Sequence, residues 1–279
     1  MNPSDSSCNS LGCMEKVTVK KRVLVVYAHP EPASLTRQLV EVAVETLEGQ
    51  GHEVVRSDLY GMRWKAVYDQ DDFPSRVDPD RLSFIAESAH AYSTGRQTDD
   101  VAAEQAKLSS ADAVILLFPL WWFGVPAILK GWIERVFAYG FGYGYKNGTN
   151  QYRYGDGVLK GKRALVSVLA GGPEVDYGPR GINGPMGEIL FPLTHGALFF
   201  AGMDVLRAHA VYGTDRMSCK DVATAKEAWR GRVKRLFEED PVAFRSQNGG
   251  DYPDRHTLRD DIAPGRTGVW AHVADDAQA

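Results

Sequence analysis

Four groups of residues have types and spacings that could do chemistry. Trp121, Trp122 and Phe123 stand in a row after Pro119-Leu120, at the end of an apolar run. Three consecutive large aromatics in a turn are costly to leave in water unless something flat lies against them. His29 follows another apolar run, and Ser34, Leu35 and Thr36 come shortly after it, where a helix begins. Backbone N–H groups at a helix N-terminus, with two hydroxyls and an imidazole beside them, make a ready phosphate site. Ala170-Gly171-Gly172 ends a third apolar run and lets another backbone approach a ligand closely, since the glycines carry no Cβ. Tyr177 and Asn183 lie in the glycine- and proline-rich loop behind it. A phenol there can donate a hydrogen bond, whereas asparagine can donate one but cannot take up a proton near neutral pH.

Each feature also has a plainer reading. Taken alone, His29 reads better as a turn histidine capping a backbone group, and the three aromatics read equally well as core packing or a dimer contact. His195 falls on an apolar helix and reads as a satisfied core histidine. Asp69, Asp71, Asp72, Asp99 and Asp100 read as solvated caps and loop charges. No histidine stands at ligand spacing from them, so no metal site is expected. The strand-linked G-x-G-x-x-G of a Rossmann dinucleotide site is missing.

These groups need elements to position them. Arg22 to Ala28, Ala113 to Phe118 and Arg163 to Ala170 are short apolar runs that read as strands, and Glu53 to Asp58 and Asp204 to Val211 read as two more. Helical spacing predicts helices from Ser34 or Ala33 to Gly49, near Leu82 to Tyr92, and over Thr98 to Ser110. Further helices are predicted from Pro126 (in the first turn) to Phe137, over Met186 to Ala201, and over Asp221 to Glu238. Leu59 to Gln97 reads as an irregular excursion around its one helix, and the glycine- and tyrosine-rich segment Tyr139 to Gly161 fits no regular element. The alternation predicts an α/β fold: a flavodoxin-like doubly wound, five-stranded parallel sheet of order 2-1-3-4-5 with helices on both faces. In such a sheet the loops after strands one, three and four converge on one edge, and these are the loops that carry the chemistry-bearing residues.

At 279 residues and 44% hydrophobic content the chain has ample core, and a net charge of -4 argues against nucleic acid as a partner. The division expected is a flexible leader over 1–20, a folded domain over 21–240 and a loosely ordered polar arm over 241–279. The leader lacks the apolar core of a signal peptide, Met14 offers an alternative start, and no apolar run is long enough to span a bilayer. Cys8, Cys13 and Cys219 form no metal or redox spacing, which suits a reducing, cytoplasmic location.

The run FPLWWFGVPAILKGWIERVF from Phe118 to Phe137 closely resembles the signature of the NAD(P)H:quinone oxidoreductases, flavoproteins of the DT-diaphorase type. Ala28-His29-Pro30, Ser57-Asp58-Leu59-Tyr60, Ala86-Glu87-Ser88, Val101 to Gln105, and Gly171-Gly172 followed by Tyr177 and Gly181 match in the same order. The resemblance covers about Arg22 to Phe237. It implies hydride transfer from NADH or NADPH through bound FAD, rather than FMN, to a quinone or quinone-like acceptor by a ping-pong mechanism, in a homodimer. It implies that His29, Ser34, Leu35, Thr36, Pro119, Leu120, Trp121, Trp122, Phe123, Ala170, Gly171, Gly172 and Tyr177 hold the flavin. Trp122, Phe123, Tyr143, Tyr145 and Asn183 would meet the substrate, the tyrosine pair partly across the dimer interface, with Tyr177 and Asn183 catalytic. Two departures stand out. Trp121 replaces a glutamine-like polar residue, and Asn183, in Gly181-Ile182-Asn183-Gly184, replaces the histidine of the family's proton relay. A related azo-, nitro- or biosynthetic flavin reductase, and a regulatory flavoprotein partner of a potassium efflux system, are the alternatives.

Overall fold

The computed structural model describes residues 19–146 and 149–274. Most of the leader, with Cys8, Cys13 and Met14, lies outside the described residues. In chain order the elements are β1 (Arg22–Tyr27), α1 (Leu35–Gly49), β2 (Glu53–Asp58), α2 (Phe84–Thr94), α3 (Asp99–Ser110), β3 (Ala113–Pro119) and α4 (Ala127–Val136). They continue with β4 (Gly144–Lys146), β5 (Thr149–Tyr152), β6 (Arg163–Leu169), α5 (Met186–Leu193), β7 (Asp204–Val205), β8 (His209–Val211) and α6 (Cys219–Lys234).

The main sheet is parallel, in the order β2-β1-β3-β6-β7, with β8 also paired to β6. This is the flavodoxin-like 2-1-3-4-5 order, with the fifth position shared by two short strands. The single strand expected over Asp204 to Val211 is interrupted because the register slips. Ala164 pairs with Val205 but Ser167 with His209, so three steps along β6 face four along the edge, a one-residue bulge.

Successive strand residues point to opposite faces, and two cores result. Leu24, Val26, Leu116, Phe118, Val166 and Val168 pack with α3, α4 and α5 on one side. Val23, Val25, Ile115, Leu117 and Leu165 pack with α1 and α6 on the other. Residues buried on both faces explain why these strands read as unbroken apolar runs.

Several local expectations give way to tertiary contacts. The segment after Tyr139 contains a short antiparallel hairpin of β4 and β5, although its glycines weaken strand propensity. Pro126 caps α4 rather than entering its first turn. Helix α5 ends at Leu193, just after Pro192, and the chain continues as a π-helical turn over Thr194–Phe199.

Asp72 is not a solvated loop charge. It is buried and accepts from Arg135 Nε at 2.6 Å, while Arg135 Nη2 reaches Asp100 at 2.8 Å and its guanidinium lies 4.4 Å from the Trp64 ring centroid. A Cβ at Gly131 would run into the Ala66 carbonyl. The excursion over 59–97 is thereby clamped onto α4, a contact between residues too far apart in sequence to be read there.

The segment beyond Asp240, expected to be loose, is anchored at two places among the described residues: Val242 N–H donates to Val205 O at 2.8 Å, Arg245 N–H to His272 O at 3.0 Å, and Gln247, Ala271 and Val273 are buried, while most of the residues between are exposed. Single residues without a period carry those anchors. Among the described residues no helix is long and apolar enough to cross a membrane.

Candidate active site

The carboxyl ends of β1, β3 and β6 lie side by side, and hydrogen-bonded rungs launch each loop. Ala28 N–H donates to Leu117 O at 3.1 Å, Leu120 N–H to Leu169 O at 2.8 Å, and Ala170 N–H to Val211 O at 2.8 Å. The sheet therefore delivers the three loops named from the sequence to one edge, as a topological switch point requires.

The loop after β3 is a tight hairpin. Trp121 and Gly124 exchange both backbone hydrogen bonds, each 3.1 Å, and the two central residues, Trp122 and Phe123, have φ of 50° and 56°. Positive φ at both central positions is the pattern of a type I′ turn, which glycine and asparagine favour and bulky side chains resist. The arrangement costs about 1–2 kcal/mol per residue. Trp122 is 98% exposed and Phe123 53% exposed, so burial within the chain does not offset the strain. The turn thus holds two aromatic side chains out in solvent.

Opposite it, His29 has its ring centroid 6.2 Å from that of Trp121, and its Nδ1 accepts the Glu31 N–H at 3.0 Å. That is the turn-histidine role, and it leaves the proton on Nε2, available as a donor. Ser34 caps α1 by accepting the Arg37 N–H at 3.2 Å. Helix geometry gives the Leu35 and Thr36 N–H groups no intrahelical acceptor, so they point out of the helix end toward the same edge.

The loop after β6 is pinned from behind. Thr214 N–H donates to Ala170 O at 3.1 Å and Gly213 N–H to Gly172 O at 2.8 Å. A Cβ at Gly172 would sit 3.4 Å from the Tyr177 hydroxyl, so Tyr177 lies against this glycine, and its ring also leans on Tyr212 at 5.3 Å. Asn183 is brought back to the same loop by its N–H, which donates to Asp176 O at 2.9 Å.

Two neighbours escaped the sequence reading. Burial, then Glu174 and Tyr177, push the Tyr212 phenol above its ordinary pKa, and the Asp215 carboxylate occupies the space a Gly171 side chain would need. Both follow β8, and a position just past the carboxyl end of a strand was the available signal.

Tyr143 does not join this cleft within one chain. It lines a separate cavity of about 290 Å³ with Tyr68, Phe137 and Phe200, and burial raises its phenol pKa. Tyr145 lies on β4 by its backbone; its side chain is outside the described residues. Among the described residues no group of three or more His, Cys, Asp or Glu side chains could hold a metal ion. His195 is not a satisfied core histidine either: it faces a cavity on the far side of α5.

The cleft combines a strained exposed aromatic turn, helix-end N–H donors and a close-approach glycine backbone. Those parts fit a flat ring system with a phosphate-bearing tail.

Residues 21–234 match the family described as having a flavodoxin-like fold. A ribosyldihydronicotinamide dehydrogenase-like protein of Penicillium crustosum is 46% identical over 234 residues, 83% of this chain and 86% of that one. NAD(P)H dehydrogenase [quinone] 1 of Rattus norvegicus is 40% identical over 225 residues, 80% of each chain. Among solved structures, a candidate quinone reductase of Klebsiella pneumoniae superposes with a TM-score of 0.88 at 46% identity, covering 91% of this chain and 100% of its own.

Proposed function

The chain belongs to the NAD(P)H:quinone oxidoreductase family of flavodoxin-fold proteins, and from that premise we propose that it is a flavin-dependent reductase. It takes hydride from NADH or NADPH and passes it to a quinone or quinone-like acceptor by a ping-pong mechanism, with FAD as the flavin. The observation that carries this reading is the Trp121–Gly124 hairpin, two bulky residues held at positive φ and left in solvent at a switch-point edge. Strain of this kind persists where a ligand makes use of it.

When bound, a flavin would supply the hydride-accepting and hydride-donating chemistry that links the two substrates. Pro119, Leu120 and Trp121 would present backbone to the ring, Trp122 and Phe123 would wall it and the substrate slot, and Ala170, Gly171 and Gly172 would border it from the other side. The Leu35 and Thr36 N–H groups, the Ser34 hydroxyl and His29 Nε2 would receive the phosphates. Tyr177, fixed between Gly172 and Tyr212, would donate its phenol hydrogen to negative charge developing during hydride transfer. Asn183 would orient a substrate oxygen by hydrogen bonding, and the proton a histidine would relay comes instead from solvent.

The same reading places the protein in a homodimer in which the cavity lined by Tyr143 completes the partner's slot, with 21–240 as the flavin-binding unit and 241–279 as an arm. Cys219 is an exposed free thiol, in keeping with a reducing, cytoplasmic setting.

Anaerobic visible spectroscopy of the purified protein tests the proposal. The flavin band is expected to bleach with NADPH or NADH and to return on addition of a simple quinone. Return with azo or nitro compounds but not quinones would move the protein to the related reductases. A bound flavin that responds to neither nucleotide would sink the catalytic reading in favour of a regulatory flavoprotein.

A further inference from the structure

A second cavity, of about 300 Å³, lies between the α5 helix with its π-helical extension and the arm after Asp240. None of its lining residues belongs to the cleft described above. Phe191 and His195 form one wall, their rings stacked at 4.5 Å and 16°. Tyr154, 5.0 Å from His195, forms the second; its N–H donates to Phe200 O at 3.0 Å, which fixes it to the end of the π-helical turn. The arm supplies the third, with Tyr252 and His272 joined by a 2.8 Å hydrogen bond to His272 Nδ1. The size and the aromatic lining suit a one- or two-ring ligand, not a dinucleotide.

The polar groups of the cavity set the ligand's charge. His195 lines this cavity, and no hydrogen bond engages its ring nitrogens among the described residues. Burial, then the neighbouring His272, depress its pKa to about 4, so it is neutral at neutral pH. Burial and then Arg245 lower that of His272. The Arg245 and Arg255 side chains line the same space, and Arg153 lies over the Tyr154 ring at 5.7 Å. Of the arm's nearby carboxylates, Asp251 is engaged by Arg245 at 2.6 Å, and Asp254 accepts the His256 and Thr257 N–H groups. Arg153, Arg245 and Arg255 against Asp251 and Asp254 leave a net charge of one positive unit beside the stacked aromatic walls.

We propose that this cavity is a second ligand site, taking a flat aromatic carboxylate whose ring lies against Phe191, His195 and Tyr154 and whose charge meets the imidazole N–H and guanidinium groups. The proposal does not depend on the redox assignment of the cleft.

The test uses the full-length, flavin-loaded protein and follows imidazole 1H–15N resonances during titration with 2-naphthoate. Acetate serves as the charge without the ring, and 2-naphthol as the ring without the charge. Saturable shifts of His195 and His272 with naphthoate are expected, together with a rise of the His195 pKa by about one unit, since an adjacent anion favours the imidazolium. His195→Phe keeps the stack on Phe191 and is expected to leave the flavin spectrum and turnover unchanged while weakening naphthoate binding about tenfold. Arg255→Gln, at an exposed side chain, is expected to weaken it several-fold with the His195 shift retained. No saturable shift at His195, equal shifts with acetate or 2-naphthol, or undiminished binding in both variants would overturn the proposal.

Discussion

Replacing Trp122 by alanine and by glycine separates strain from contact in the aromatic turn. Trp122 is 98% exposed, so truncation removes about 5 Å² of buried surface from a side chain of roughly 250 Å², a loss on the order of 0.1 kcal/mol. Alanine removes the ring but keeps a Cβ at φ 50°; glycine removes both. At an ordinary position glycine is about 0.5–1 kcal/mol worse than alanine. At a left-handed position the Cβ penalty of about 1–2 kcal/mol reverses the sign. In the flavin-free protein Trp122→Gly is therefore expected to be about 0.5–1 kcal/mol more stable than Trp122→Ala, raising Tm by a few degrees for a domain of this size. Both variants lose the ring face that would cover the flavin, about 2 kcal/mol, and so bind it roughly 30-fold more weakly. Denaturant unfolding of flavin-free protein gives the first quantity and flavin titration the second. If Trp122→Gly is the less stable variant, the turn is not strained. If flavin affinity does not change, the turn is not the flavin wall.

Three further outcomes are expected. Tyr177→Phe should keep its place between Gly172 and Tyr212 and bind flavin normally, yet lower kcat about 10²-fold, as loss of one oxyanion-type donor does; an unchanged kcat would remove Tyr177 from the chemistry. Arg135→Met should cost about 3–5 kcal/mol in denaturant unfolding, because it leaves Asp72 buried without its principal partner, and a loss below 1 kcal/mol would contradict the clamp described for α4. Burial depresses both His195 and His209 to about 4, so each binds fewer protons folded than unfolded; stability is full above about pH 6.5 and falls as pH drops toward 4, by at most about 3 kcal/mol per group. Urea midpoints for His195→Phe that still fall as steeply through that window would assign the loss elsewhere.

Where continuous apolar runs carried the signal, the sequence determined the result. Buried parallel strands need apolar side chains on both faces, so β1, β3 and β6 were legible as runs, and their alternation with helices made the observed sheet order the first choice. The loops at their carboxyl ends followed, and with them His29, the Trp121–Phe123 row, Gly171-Gly172 and Tyr177. Tertiary structure alone decided what depends on pairing between distant segments. The slip of register on β6 that divides the fifth strand, the burial of Asp72 under Arg135, and the packing of the arm over His195 have no periodicity to announce them. Positive φ at Trp122 and Phe123 is the sharpest case. Their residue types argue against it, and only the closed Trp121–Gly124 rung, set by where β3 and α4 are anchored, holds the backbone there. Local sequence fixes what a segment prefers, whereas the fold fixes what it must accept, and the two differ most where the candidate site lies.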